Sequence, residues 1–376
     1  MIFYLTFNDS PSGIYRSQVI DVIKFIRNEL NQKIKLIAFI SIRNFSVNKN
    51  KIKAELSDSI VLPMFPGIVN WKKNKSLLNY FIRKYKPNII IGRSVIATNL
   101  ALRSQNLRHK YHVIYDGRGA ITEEWKEYKV VVQPEMLAEI YELEKNAILK
   151  SKFRIAVSKK LIQHWSKTYN YSSKEHLVIP CTIEAQYENL LIDSKNIESL
   201  RKELNFLETD IVFIYAGSSA GWQSLSNLKE IILKLSQENP NAKFLFLCPD
   251  HEIIHELKKN QVKIQHYFVE PNHVYKYLLA ADYGLLIRGN SITNSVASPV
   301  KFAEYLSCGL QVIISPNLGD YSDFVVQHNC GFIYKPNQKM DFKRTNKQIS
   351  NKLAHQYFTK KSFHSEYKKL TEIELN

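Results

Sequence analysis

Short apolar runs alternate with amphipathic stretches along nearly the whole chain, and few architectures can bury such a rhythm. Ile2 to Phe7 reads as a strand, Asn8 to Gly13 as a polar turn, and Ile14 to Leu30 as a helix with Val19, Ile23, Ile26 and Leu30 on one face. Lys35 to Ser41, Asn88 to Gly92, His112 to Tyr115, Arg154 to Val157 and Leu177 to Ile179 are further strand candidates, with helical segments between most of them. A repeated βα pattern of this kind predicts a mainly parallel sheet covered by helices on both faces.

After Pro180 the rhythm lapses. Residues 181–208 are polar and charged with no clear strand, so the interdomain connection is placed there. The pattern then restarts with strands at Ile211 to Tyr215, Lys243 to Cys248, Lys263 to Tyr267, Tyr283 to Ile287 and Gln311 to Ser315, separated by helices. The expected fold class is α/β, with two doubly wound, Rossmann-like domains at 1–180 and 209–350. The remaining 351–376 is expected to form a helix that packs back on the first domain. Ligands of such sheets bind beyond the carboxyl ends of the strands, so a cleft between facing domains is the expected site.

Composition narrows the classes of function. A chain of 376 residues with 45% hydrophobic content is long enough for two cores. Cys181, Cys248, Cys308 and Cys330 are far apart without metal-ligand spacing, which suits reduced thiols in a cytoplasmic protein. The opening MIFYLTFNDS looks like a first strand, not a signal peptide, and no apolar run approaches a membrane span. The net charge of +17 is uneven: residues 1–180 hold 30 Lys and Arg against 14 Asp and Glu, whereas residues 181–376 hold 22 against 21. A basic first half suits an anionic membrane surface or nucleic acid. Nucleic-acid binding is set aside, because the strongest motif lies in the nearly neutral half.

That motif is the run from Ala297 to Ser315, read as a loop, a helix carrying Lys301 and Glu304, a stop at Gly309 and a buried strand. A cation and a carboxylate one turn apart suit a ligand with both phosphate and hydroxyl groups, as a nucleotide-sugar has, since ammonium donates to phosphate and carboxylate accepts from hydroxyls. Arg288, just past the strand Tyr283 to Ile287, adds a second cation at the same predicted edge. The run resembles the donor-binding segment of retaining GT-B glycosyltransferases of the kind grouped as family 4. The resemblance implies a GT-B fold and transfer of a sugar from a nucleoside diphosphate to a glycan or lipid-linked acceptor, in bacterial surface polysaccharide assembly such as capsule or lipopolysaccharide synthesis. It implies a cytoplasmic enzyme, peripheral on the inner face of the membrane. It assigns Glu304 to the ribose hydroxyls, and Arg288 and Lys301 to the diphosphate, without a metal or other cofactor. The family's first glutamate falls on Val296, which leaves the grip on the transferred sugar open, the loop from Asn290 to Ser298 being one alternative.

The resemblance implies further site residues. Gly217 and Ser218, between the first strand and helix of the second domain, offer backbone amides to phosphate, and Trp222 lines the sugar or base pocket or else belongs to the core. Gly13 and Arg16 follow the first strand, where the family approaches donor phosphate and acceptor. Asp116 and Arg118, in Asp-Gly-Arg-Gly at a strand end, resemble the acceptor segment of related bacterial enzymes; Asp116 either accepts from an acceptor hydroxyl or pairs with Arg118 to order the loop. Arg93 lies on the same edge. A nonhydrolysing nucleotide-sugar epimerase of the same fold is the enzymatic alternative.

Overall fold

The computed structural model describes residues 1–105, 109–131, 133–217, 225–336, 338 and 340–373. It divides into two compact units, Met1–Glu184 with Phe363–Asn376, and Ala185–Ser362. In the first unit a seven-stranded parallel sheet is built from β1 (Ile2–Phe7), β2 (Ile34–Ile40), β3 (Ile60–Pro63), β4 (Ile89–Arg93), β5 (His112–Gly117), β6 (Phe153–Ala156) and β7 (His176–Val178), in the order β3-β2-β1-β4-β5-β6-β7. The inner strands are mostly apolar, as a sheet covered on both faces requires, with β1 and β4 buried along their whole length and polar residues such as Arg93 and Asp116 at the carboxyl ends.

In the second unit six parallel strands follow: β8 (Ile211–Ala216), β9 (Ala242–Leu247), β10 (Ile264–Tyr267), β11 (Tyr283–Leu286), β12 (Gln311–Ile314) and β13 (Gly331–Ile333), in the order β10-β9-β8-β11-β12-β13. Each unit is therefore doubly wound, with its strand order reversing at one point: between β1 and β4 in the first, and between β8 and β11 in the second.

Three expectations change. Ile14 to Leu30 is not one regular helix: Gly13–Tyr15 starts it, capped by the Ser12 hydroxyl, a wider π turn spans Arg16–Ile20, and Asp21–Asn28 completes it. Within 181–208 the helix Ser194–Glu203 forms and joins the second unit, because the Arg201 guanidinium is buried against Asp282 at 3.2 Å and donates to the carbonyl of Asp210 at 2.7 Å. The helix Lys347–Tyr357 also belongs to the second unit, and only from Phe363 does the chain rejoin the first, where Tyr367 and Leu370 on the helix His364–Thr371 are buried in its core. Among the described residues no helix is long and apolar enough to cross a membrane.

Candidate functional site

In the second unit the residues just past β8 and β11, at the reversal of strand order, carry the candidate chemistry. The backbone amide of Arg288 donates to Ser315 Oγ at 2.8 Å, and that hydroxyl donates to the Arg288 carbonyl at 2.9 Å. Ser315 follows β12, so two neighbouring strands fix where the guanidinium begins. The helix Val300–Ser307 stands beside them, ended by Gly309 in the left-handed region at φ +80°. Tyr305 Oη accepts from the amide of Ala216 at 3.2 Å, which sews this helix to the end of β8.

One turn earlier on the same helix, Lys301 turns its ammonium inward, 5.4 Å from the centre of the Tyr215 ring and against Gly217. A Cβ at position 217 would overlap that ammonium, so the glycine is needed for the close approach. Burial, and then the charge of Arg288, bring the Lys301 pKa down to about 7, while Glu304 and Cys248 pull it up. The thiol of Cys248 is itself pushed up to about 11 by burial. Arg288 and Glu304 thus both act electrostatically on Lys301 at one sheet edge. Ser298 is buried with its hydroxyl 2.6 Å from Tyr321 Oη, and Val296 is 2% exposed. Ser218 and Trp222 lie outside the described residues.

The edge of the first sheet is built differently. Arg93 ends β4 directly beside Asp116 on β5. Asp116 is 2% exposed. Its carboxylate accepts from Tyr4 Oη at 2.5 Å and from Arg118 Nη1 at 3.3 Å, with Arg93 Nη1 at 3.7 Å. Arg93 Nε faces Asp9 at 3.4 Å. Arg118 Nη2 donates to Gln18 Oε1 at 3.0 Å and lies 3.0 Å from Cys181 Sγ. Gln18 is carried on the π turn and donates from its amide to the Thr182 carbonyl at 2.6 Å, so the irregular turn has a use in aiming it. Burial, and then the Asp116 charge, hold the Tyr4 phenol well above its ordinary pKa and so in its donating form. Gly13 and Arg16 are exposed on the turn after β1, and Arg16 pairs with Glu184 at 3.0 Å and Glu55 at 3.4 Å.

Tyr4, Asp9, Gln18, Tyr215 and Ser315 were not nominated as site residues, although Asp9 lies in the turn from Asn8 to Gly13, Tyr215 ends a strand read from the sequence and Ser315 ends the motif from Ala297. Tyr4 and Gln18 sit in apolar or helical stretches where pattern alone assigns them to the core. Glu144 was missed as well. It is fully buried, caps the helix Ile121–Glu127 by accepting from the amides of Ile121 and Thr122 at 2.9 and 2.8 Å, and so fixes the segment just after Arg118. Among the described residues no group of three or more His, Cys, Asp or Glu side chains is arranged to hold a metal ion.

Two parallel, doubly wound sheets with these reversals define the GT-B architecture, and solved structures agree with that fold. A glycosyltransferase from Rickettsia africae is 17% identical with a TM-score of 0.69, covering 99% of both chains. Anabaena HepE, solved in complex with UDP, is 16% identical with a TM-score of 0.70 over 98% of both chains. WaaG, a glycosyltransferase involved in lipopolysaccharide biosynthesis, is 12% identical with a TM-score of 0.62, covering 99% of this chain and 94% of its own. Residues 196–362, within the second unit, match the family model Glycosyl transferases group 1. No curated protein matches the chain.

Proposed function

We propose that the protein is a retaining, metal-independent glycosyltransferase that moves a sugar from a nucleoside diphosphate to a glycan or lipid-linked acceptor in bacterial cell-surface polysaccharide synthesis. The observation that carries this reading is the Lys301 ammonium turned in against Gly217, beside Arg288 and one turn from Glu304, within the segment that matches the group 1 model. A diphosphate placed there meets two cations, and a ribose can reach the Glu304 carboxylate; the Gly217 amide expected to join them is instead spent on the Leu247 carbonyl at 2.9 Å, so the glycine contributes room for the ammonium and not a donor. In the proposed step the bond from the anomeric carbon to the diphosphate oxygen breaks while a bond to the acceptor oxygen forms on the same face. The acceptor proton passes to the departing diphosphate, whose negative charge Arg288 and Lys301 stabilise.

HepE was solved with UDP, which makes uridine the first base to test. In the first unit, Arg118, Arg93 and the exposed Gly13 and Arg16 are proposed to line the acceptor side. Asp116 serves there as a positioning residue that holds the two guanidiniums and, by the same network, the loop from Gly117 to Gly119.

The basic first unit supports an anionic membrane surface as partner, with the enzyme peripheral on the cytoplasmic face. Two segments of this unit combine lysines with apolar residues, 45–53 and 71–86; in the second, Trp71 is buried and its indole donates to Glu139 at 3.3 Å, so it is not offered to lipid. Leu77, Tyr80 and Lys84 share one helical face, with Leu77 37% and Tyr80 58% exposed, so they are the residues proposed to meet lipid.

The deciding experiment is a thermal-shift screen of nucleoside diphosphates, followed by NMR of the products formed from the stabilising nucleotide's sugar. Transfer to an acceptor with release of the diphosphate supports the proposal; inversion at sugar C2 without transfer replaces it with the epimerase reading, and no nucleotide response ends both. Flotation should also show binding to phosphatidylglycerol vesicles that weakens as salt rises, and little binding to phosphatidylcholine; indifference to both at low salt removes the membrane from the reading.

A further inference from the structure

A cavity of about 580 Å³ opens on the flank of the second unit beside the edge strand β10. Its volume falls in the range of ~300–1,000 Å³ usual for small-molecule sites. None of its lining residues belongs to the Arg288, Lys301 and Glu304 cluster. β10 lies two strands from β8 and three from β11, roughly 10–14 Å at about 4.8 Å per strand.

The walls are aromatic and apolar. Tyr275 and Tyr277 come from the helix Val274–Ala280, Leu200 from the helix Ser194–Glu203, and Phe268 from the segment after β10. Phe268 is 78% exposed, a large apolar ring left in water at the mouth. The wall behind is fixed in place. The Tyr277 ring packs against Tyr267 at 5.3 Å, Tyr267 Oη donates to Gln265 Oε1 at 3.3 Å, and Gln265 Nε2 donates to the Leu204 carbonyl at 2.7 Å.

The rim adds polar groups of both kinds. Glu203, Glu270 and Asn196 offer acceptors for hydroxyls, and Lys276 a donor. Two carboxylates against one lysine make the mouth a poor host for phosphate. Aromatic faces that meet C–H surfaces, ringed by acceptors for hydroxyl groups, suit the pyranose rings of an uncharged oligosaccharide.

We infer that this cavity is a carbohydrate-binding subsite, separate from the donor site, that holds an uncharged stretch of glycan; only the role of that glycan, as acceptor or product, rests on the glycosyl-transfer reading. Saturation-transfer NMR of the full chain with maltotriose, cellotriose and chitotriose, each with and without UDP, tests it. At least one trisaccharide should receive saturation from the wild-type protein. Phe268→Ala and Tyr275→Ala should each weaken its binding at least fivefold with the melting temperature and the UDP thermal shift unchanged, and UDP should not displace it.

Failure of all three trisaccharides to bind overturns the inference. So does displacement by UDP, which would make the cavity part of the donor site, and so does wild-type affinity in both variants. Trisaccharide binding in a protein that shows no response to any nucleotide would leave the subsite standing and count against the donor site alone.

Discussion

The two sheet edges use like residues to opposite ends. In the first unit, Asp9, Arg93, Asp116 and Arg118 alternate in sign and pair with one another at 3.3 to 3.7 Å, with Asp116 sealed from solvent. In the second, two cations crowd one helix turn and one strand end, and the Lys301 ammonium is held down to about 7 by burial and by Arg288. A closed ion network is a fixture, whereas a cationic edge that disfavours its own charge is prepared to gain from an arriving anion. The first arrangement ties its charges to one another; the second contains an ammonium whose charge burial and a neighbouring guanidinium disfavour.

The largest test of that contrast is stability. Asp116→Ala strips the carboxylate from two buried guanidiniums and should destabilise the protein by about 3–5 kcal/mol in urea unfolding. Lys301→Met should be neutral or stabilising at pH 6, where the buried ammonium is charged, while abolishing the nucleotide thermal shift. The opposite pattern would mean that the roles of the two edges are reversed.

Activity comes next in size. Glu304→Ala and Arg288→Ala should each lower turnover at least tenfold with an unchanged melting temperature, because each removes a charge-assisted contact to a ligand and not a core group. Normal rates in both purified variants would end the donor-site assignment.

A smaller effect should appear in pH dependence. An arriving diphosphate favours the charged ammonium, so nucleotide binding must take up a proton at Lys301 above pH 7. The dissociation constant should therefore rise by up to about tenfold per pH unit above pH 7, until the pKa of the complex is passed. Calorimetric titration in buffers of different ionisation enthalpy reads that proton directly, and Lys301→Met should lose it. For the apo protein the sign is the reverse. The folded pKa lies below the unfolded value of 10.5, the unfolded state binds more protons between pH 7 and 10.5, and this group's contribution to stability improves as pH rises through that window.

The smallest expected effect is none. If Arg288, Lys301 and loop amides carry the diphosphate charge, turnover should survive excess EDTA; loss of activity with rescue by Mn²⁺ would show that the second edge needs a divalent ion to do its work.

Pattern made the inner strands and the donor helix legible because their cause is local. The run from Ile2 to Phe7, apolar except for Thr6, can only be buried, and Gly309 after an amphipathic turn can only stop a helix. The edge strands β3 and β13 escaped although β7 and β10, as short and as partly buried, did not; β3 ends in Pro63, which argues against a strand, and β13 begins at Gly331. The π turn at Arg16–Ile20 escaped for another reason: its apolar spacing resembles an ordinary helix, and only the reach of Gln18 toward Arg118 and Thr182 explains the extra residue.

Residue types and their spacing were enough to nominate Arg288, Lys301 and Glu304, because a cation and a carboxylate one turn apart are neighbours wherever the helix lies. Sequence could not say what surrounds them. That Lys301 meets Tyr215 and Gly217, 84 or more residues away, and that Asp116 is closed off by Tyr4, 112 residues distant, depends on which strands the sheets place side by side. Proton affinity and ion pairing follow from burial and from charges a few ångströms away, and only the tertiary structure sets those distances.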